Sequence, residues 1–465
     1  MSADDISRLV GELAEAIRGR RLDIASNVDY FKGTEGRMRF ASDEFREYFE
    51  TRFRGFTDNW CAPVAQAPVE RMHYLGMRLD GEIRTDTRVA RWWGRNDADR
   101  GLSEALLMMT VARRAFGLVS PSPVGARITF EHPDSAAVVY DPVTRERRAG
   151  LTLWQDDRFE YGQLHLPSHV VPVKREKSGL VGGARVGSPD VSEWEFNLDK
   201  AEVNPLGAVA LVEFRNQTLL DNDPISDIAG VGAMQDAINL VWAYLLNALD
   251  YASLPGRLIL GGERLMVPVL DDEGQVVGER PLEMDALIRD RMAHIPASGD
   301  RNPTIGEWTP AALDAYTDVI EKAIEHIAAR TRTPGHYLLT NAEVPATGYD
   351  AAEAGLVSKT NERIAFASPV VREINRLAAL AEGEYELAEG LANAEPRWKK
   401  PQYRSEQQLM DGLLKMRTAG FPFRWIAEEY GLSPAEVERV VEMKLEEREL
   451  DADPTLERVA RELSM

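Results

Sequence analysis

Three acidic residues in succession, Asp271, Asp272 and Glu273, form the tightest carboxylate cluster in the sequence. Carboxylates so close together can bridge two divalent cations and support hydrolysis of a phosphodiester. Their surroundings argue for a plainer role: alternating hydrophobicity on both sides and Gly274 directly after them are the marks of a hairpin turn. Asp156-Asp157 has the same turn-like context. Among 7 histidines only His165 and His169 are near neighbours, and Pro167 lies between them. With no cysteine or matched carboxylate beside them, they are expected to be polar surface residues rather than metal ligands. The single cysteine, Cys61, excludes an intrachain disulfide and a cysteine-based zinc site, and its apolar surroundings predict a small buried residue. No Gly-x-x-x-x-Gly-Lys-Ser/Thr loop is present to cradle nucleotide phosphates. Gly230-Val231-Gly232 lacks both the third glycine and the preceding strand of a dinucleotide fingerprint, so it is read as a helix hinge. Asn216-Gln217-Thr218 matches a glycosylation acceptor, which carries no weight without a secretory signal. No catalytic constellation emerges, and neither a metal nor a cofactor is expected.

The elements around these residues are more informative than the residues themselves. Thr309-Pro310 supplies an N-cap hydroxyl followed by a proline at the one helical position that needs no N–H, and Leu313, Tyr316, Ile320, Ile324 and Ile327 follow at helical spacing. Thr333-Pro334-Gly335 stops that helix. An irregular stretch from His336 to Gly348 comes next, and helical periodicity resumes with Ala351, Ala354, Leu356 and Val357. A loop of this length inside a compact chain is usually functional. Upstream, Met234, Ile238, Val241, Leu245 and Leu249 make one stripe of another helix within residues 224–254, whose later part is a rod of roughly 30 Å. Between the two helices, residues 257–308 read as a small insert with strands at 257–260, 265–270 and 275–277 and a short helix at 283–291.

The N-terminal half is expected to be α+β. An amphipathic helix over residues 1–25, ending near Gly19, is followed by helices at 42–53 and 58–66 and from Leu102 to Arg114, with Trp92 and Trp93 in the core. From Phe116 to Arg215 runs of β-branched residues bounded by Gly and Pro predict an antiparallel sheet. Helices resume to about 393, then at 405–419, 423–430 and 433–450, the last opened by the capping residues Ser433-Pro434-Ala435-Glu436. The fold class is therefore α+β, mainly helical.

The chain has 465 residues, 44% of them apolar, and a net charge of −21. That length and composition allow several buried cores. No charged-then-apolar leader, lipidation box or membrane-length apolar run is legible, so a cytosolic, soluble protein is expected. The acidic balance argues against tight non-specific binding of DNA, which depends on Lys and Arg replacing condensed counterions. It is compatible with a wall past which DNA must slide, since acidic surface offers phosphate no deep electrostatic well.

Taken in order from about 25 to 440, the segments resemble the phage portal protein family, in its SPP1-like branch. The resemblance rests on Tyr30-Phe31-Lys32-Gly33, Asn59, Trp92 with Asn96, Phe116-Gly117, Tyr140-Asp141-Pro142 and Asn204-Pro205-Leu206-Gly207. It continues through Val212-Glu213-Phe214-Arg215-Asn216, Gln235-Asp236-Ala237-Ile238-Asn239, Pro334, Thr347-Gly348, Trp398 to Ser405, Lys415 and Gly420. It implies a structural, non-enzymatic subunit of a homo-oligomeric ring, a dodecamer in this family, at one capsid vertex. DNA would enter and leave through the ring, and partners would be the terminase, the capsid and scaffold proteins and the head–tail adaptors, with no membrane. The implied parts are a wing (1–223), stem helices (224–254 and 309–332), a clip (255–308), a tunnel loop (333–349), a wing or channel helix (350–396) and a helical crown (397–465). The turn Thr347-Gly348-Tyr349-Asp350-Ala351 departs from the Ser-Gly-Glu-Ala-like turn of many relatives. The alternative is a DNA-processing enzyme of the same packaging pathway, against which the missing phosphate loop and the scattered carboxylates both count.

Two residue sets follow from this reading. His336, Tyr337, Asn341, Glu343, Thr347, Lys359 and Arg363 are the tunnel-loop and DNA-facing candidates, and Asp271, Asp272, Glu273 and Arg280 are the clip's candidates for partner contact. Lys322, Arg330 and Arg332 approach the loop from one side, while Lys359 and Arg363 leave it on the other. They either face the lumen, giving DNA weak, salt-sensitive contacts, or pair with Glu321, Glu325, Glu353 and Glu362 on outer helix faces.

Overall fold

In the computed structural model, the described residues are 3–34, 42–52, 56–79, 87–177, 194–221, 223–253, 257–260, 266–270, 275–281, 292–295, 304–307, 312–339, 349–402 and 406–452. They divide into two units: Met1–Glu35, Asn59–Gly232 and Ala328–Met465 form the first, and Gly36–Asp58 with Ala233–Ile327 the second. The chain thus leaves the first unit after Gly232 and re-enters it at Ala328.

The centre of the first unit is the helix Tyr349–Ala381. Its Ala367, Val370, Val371, Ile374, Leu377 and Ala378 recur every three to four residues and are buried, the pattern of a helix with one apolar face. That face packs on an antiparallel sheet in the order Leu211–Arg215, Arg114–Ser122, Gly125–Glu131, joined by the buried residues of Ala98–Ala112. Close approach explains one glycine: a Cβ on Gly117 would lie 2.6 Å from Ile374 Cδ1. Trp92 and Trp93 sit in this core, as expected. The indole of Trp92 donates to Asn375 Oδ1 at 3.1 Å. Asn96 donates to the carbonyls of Trp92 and Ala126 and accepts from the Ile128 amide, fixing the helix Thr87–Arg95 to an edge strand. Cys61 is fully buried at the start of the helix Cys61–Val69. Asn59 Oδ1 accepts from the Cys61 amide at 3.0 Å while its amide group donates to Phe31 O at 2.7 Å.

A second antiparallel sheet in the same unit has the order Ala136–Tyr140, Arg147–Gln155, Phe159–His165, His169–Glu176, Glu195–Phe196. The N-terminal helix covers it with Ile6, Leu9, Val10, Leu13, Ala14 and Ile17. That helix spans Ala3–Lys32 rather than ending near Gly19. A glycine inside a helix costs only about 1 kcal/mol, and buried Ile24 and Tyr30 continue the apolar face beyond it. The helix ends where Gly33 adopts φ 69°.

In the second unit, the helix Gly232–Ser253 packs Ala243, Leu240 and Leu246 against Phe45 and Phe49 of the helix Asp43–Arg52. Trp242 stacks edge-on with Phe56 and donates to Asp58 Oδ2 at 2.8 Å. This helix begins at Gly232, later than the expected 224, because the residues before it are turns held in the first unit. The insert's strands Arg257–Leu260, Met266–Leu270 and Val276–Pro281 lie where the alternation predicts them. The last two pair antiparallel, whereas Arg257–Leu260 pairs parallel with Met292–Ile295 and antiparallel with Thr304–Glu307. The expected helix at 283–291 and the Thr309-Pro310 cap lie outside the described residues. The following helix is described over Asp314–Thr331.

His165 departs from its expected surface position. It is 3% exposed, with Nε2 3.1 Å from Thr152 Oγ1. Burial disfavours the charged imidazole and pushes its pKa down from 6.5 to about 4. Between those values the unfolded chain binds the proton that the folded chain refuses, so folding stability falls as pH drops from 6.5 towards 4. At pH 5 this residue alone should remove about 2 kcal/mol. Thermal melts at pH 7 and pH 5 should therefore show a smaller acid shift for His165→Gln than for the parent chain; equal shifts would contradict a neutral buried imidazole.

Candidate functional site

The segment from Ala328 to Arg363 belongs to the first unit and carries the polar groups that flank the expected loop. The helix Asp314–Thr331 ends with the Thr333 amide donating to Ala328 O at 3.0 Å and Thr331 Oγ1 donating to Thr333 Oγ1 at 2.9 Å. Pro334 precedes a single helical turn, Gly335–Leu338. The long helix starts at Tyr349.

On that helix Glu353, Leu356, Lys359, Thr360 and Arg363 share a buried face, as their spacing of three and four residues dictates. Glu353 accepts a two-pronged bond from Arg71, at 2.9 and 3.0 Å. Arg71 also donates to Tyr337 Oη at 2.6 Å and to Pro401 O at 3.2 Å. His336 Nε2 lies 3.5 Å from Glu353 Oε1. One arginine thus ties the single turn Gly335–Leu338, the first turns of the long helix and the segment near Pro401 to the end of Cys61–Val69.

A second charged group lies farther along the same face. Asp227 receives Arg363 Nη2 at 2.7 Å, Lys359 Nζ at 3.2 Å and Asn216 Nδ2 at 2.8 Å. Its side chain is 1% exposed, and those of Lys359 and Arg363 are 6% and 5% exposed. Burial alone would raise the carboxyl pKa of Asp227, but Lys359 and Arg363 outweigh it and hold the group below its usual range. Burial lowers the Lys359 ammonium, with Asp227 opposing. The Asp227 amide donates to Thr110 O at 2.9 Å, and Ser226 Oγ donates to Val111 O at 2.7 Å, so the carboxylate is held by its own backbone as well. Nearby, the Arg330 guanidinium lies over Gly230, where a Cβ would meet it at 2.8 Å. The glycine permits a close approach there.

These positions correct the DNA-facing assignment of Lys359 and Arg363. Both point into the first unit and pair with Asp227, because a desolvated cation needs an adjacent anion. Tyr337 is 39% exposed and His336 is largely covered. Asn341, Glu343 and Thr347 lie outside the described residues, as do Asp271, Asp272 and Glu273. The backbone of Arg280 pairs opposite Val267 in the hairpin. Lys322 pairs with Glu325 at 2.7 Å on an exposed helix face, and Arg332 lies 3.9 Å from Glu362. Glu353 serves Arg71 and His336 instead of a helix-face lysine. Sequence reasoning missed Arg71 and Asp227, whose partners are far away along the chain; only the placement of Asn216 within a family-like motif pointed to this region. Among the described residues, no group of three or more His, Cys, Asp and Glu side chains could hold a metal ion, and no helix is long and apolar enough to cross a membrane. What this arrangement does chemically is to tie the turn Gly335–Leu338 and the first turns of Tyr349–Ala381 into the first unit.

The sequence is similar to those of one class of proteins, phage portal proteins. The chain is 23% identical over 415 residues to the portal protein of Mycobacterium phage D29, covering 83% of this chain and 80% of the relative. It is also 23% identical to the portal protein of Mycobacterium phage L5, covering 96% of this chain and 91% of the relative. These relatives bear out the resemblance drawn from the residues. No protein-family model matches the chain. A solved structure described as "Neck of native GTA particle computed with C12 symmetry" aligns with a TM-score of 0.43 at 13% identity, covering 84% of this chain and 94% of that one.

Removing the buried anion tests the clamp. Asp227→Asn should strand two buried cations and cost about 3–5 kcal/mol of stability, read from urea denaturation, whereas Lys322→Ala at the exposed pair should change it by less than about 0.5 kcal/mol. Similar small effects from both would show that the buried group contributes nothing.

Proposed function

We propose that this chain is the portal subunit of a tailed phage: a non-enzymatic building block of a ring, dodecameric in the virion, at one capsid vertex. DNA is packaged and ejected through the ring's bore. The terminase and later the head-completion and tail proteins dock on it, with the capsid and scaffold proteins as further partners during assembly in the host cytoplasm. The observation that carries this reading is the similarity to two phage portal proteins along nearly the whole chain. The net charge of −21 supports it, since a ring of such chains repels phosphate and lets DNA slide.

Within this reading, residues 1–223 form the wing, 224–254 and 309–332 the stem, 255–308 the clip, 333–349 the tunnel loop, 350–396 a wing or channel helix and 397–465 the crown. The DNA-facing set contracts to Tyr337, His336 and the loop residues Asn341, Glu343 and Thr347. The clip residues Asp271, Asp272, Glu273 and Arg280 remain the candidates for partner contact. The clamp at Arg71 and Asp227 supports this assignment, because a loop beside moving DNA needs flanks that do not move with it.

The mass and shape of the purified protein test the proposal. Native mass spectrometry and negative-stain images should give closed rings with a central hole, and the preparation should neither hydrolyse ATP nor cut DNA. A compact monomer with either activity would overturn the reading in favour of a packaging enzyme.

A further inference from the structure

The strand Glu395–Trp398 pairs antiparallel with Tyr74–Arg78 and is fixed firmly to the core of the first unit. Trp398 meets Tyr74 edge-on and donates its indole N–H to Ser368 Oγ at 2.9 Å. Just beyond it, the Lys399 amide donates to His73 O at 2.8 Å, and Arg71 holds Pro401 O at 3.2 Å. The helices Glu406–Thr418, Phe423–Tyr430 and Pro434–Ala452 follow. The last two are bound to one another: Arg424 pairs with Glu438 at 2.9 Å, and the Lys444 ammonium lies over the Phe423 ring. Gly431 makes the turn between them at φ 107°. Ser433 and Glu436 then cap the final helix reciprocally, the Ser433 amide donating to Glu436 Oε2 at 2.7 Å and the Glu436 amide to Ser433 Oγ at 3.3 Å.

Their attachment to the core is of a different kind. A cleft of about 1010 Å³ is lined both by Ile364, Ser368 and Arg372 of the long helix and by Leu409, Tyr430 and Leu432 of the C-terminal part. Charged and apolar groups alternate around it, and a cleft so lined is hydrated rather than dry. Ion pairs join its walls. Glu428 receives Arg397 at 3.4 Å and lies 3.7 Å from Arg78, and Glu429 pairs with Lys400. Two successive glutamates of one short helix thus meet three cations carried by the paired strands and the residues directly after them. The side chains of Arg78 and Lys400 are 36% and 62% exposed, so water and salt reach these pairs. Apolar burial adds little by comparison: among the described residues of the three helices, the buried ones are Leu413, Ala427 and Val437.

We infer that these pairs form an ionic latch, which holds the three C-terminal helices closed over the cleft and lets them swing away from the core as a body when the charges are screened or removed. Half-exposed pairs are individually weak and weaken further with ionic strength, so a contact built from three of them opens in raised salt. The buried group at Asp227 is desolvated and does not respond in that way. The helices remain helical in the open form, because the contacts that bind them to one another do not pass through Glu428 or Glu429. The inference does not depend on the portal reading.

The test uses the full chain with one thiol added inside the cleft, Ile364→Cys. The native Cys61 is buried in the core and stays unlabelled while the core is folded. Labelling of the added thiol by a bulky maleimide, measured against a small model thiol in the same buffer, should become about tenfold faster between about 0.05 M and about 1 M NaCl. Glu428→Gln with Glu429→Gln should give the fast rate already at low salt. Glu446→Gln with Glu447→Gln, which removes the same charge from an exposed stretch of the last helix, should keep the slow one. Lys400→Glu should speed labelling too, and Glu429→Lys on the same chain should bring back the slow, salt-sensitive rate. Far-UV circular dichroism should stay constant throughout, and Leu432→Cys supplies a second reporter should Ile364→Cys lower the melting temperature. A labelling rate that neither salt nor the Glu428, Glu429 double variant changes overturns the latch. Acceleration accompanied by labelling of Cys61 overturns it as well, since the core would then be unfolding rather than the cleft opening.

Discussion

The first unit depends on a carboxylate in a place where a carboxylate alone would be unstable. Asp227 is almost completely removed from water, and it is tolerated because Lys359, Arg363 and Asn216 converge on it. The reverse holds equally: two cations four residues apart on one helix repel each other and could not be buried without an anion between them. Each group makes the others' burial possible, so the turn preceding Gly232 and the first half of the helix Tyr349–Ala381 are held in one arrangement. A buried ion pair of this kind adds less net stability than its Coulomb energy suggests, because both partners lose hydration. Its geometric consequence is sharper, since few alternative positions of the helix would keep all three charges satisfied.

The same helix has two different faces of work along its length. Its later turns are apolar and fill the core over the sheet Leu211–Arg215, Arg114–Ser122, Gly125–Glu131, with Gly117 making room for Ile374. Its earlier turns are ionic, gripping Arg71 through Glu353 and Asp227 through Lys359 and Arg363. Dense apolar packing admits little displacement, so the ionic end is carried on a rigid support. The turn Gly335–Leu338 and the first turns of Tyr349–Ala381 are thereby both anchored.

Charge is divided between buried pairs and the rest of the chain. The chain is strongly acidic overall, yet its buried arginines and lysines are spent on specific carboxylates: Arg71 on Glu353, Arg114 and Arg215 on Glu213, and Arg147 on Glu373. Cations consumed internally are not available to hold phosphate. The excess of acid remains as a net charge of −21.

The elements were legible in the sequence because hydrophobic period is a local property. The strand runs between Phe116 and Arg215, the insert's first three strands, the stripe of Met234, Ile238, Val241 and Leu245, and the stop at Thr333-Pro334-Gly335 appear where spacing and turn residues put them, whereas the insert's strands Met292–Ile295 and Thr304–Glu307 were not foreseen. The family resemblance was legible for a related reason, as motifs such as Asn59, Trp92 with Asn96, and Asn216 mark caps and cross-links whose geometry admits few other residues. Extents were less legible: the first helix passes through Gly19 because tertiary burial of Ile24 and Tyr30 outweighs a small local penalty. Charge pairing was not legible at all. Nothing local distinguishes Lys359, which is buried on an aspartate 132 residues away in the chain, from Lys322, which lies in water beside Glu325. Local patterns determine which segments become helix or strand, whereas only the folded chain decides which charges are desolvated, because desolvation depends on what packs above a side chain and not on what precedes it.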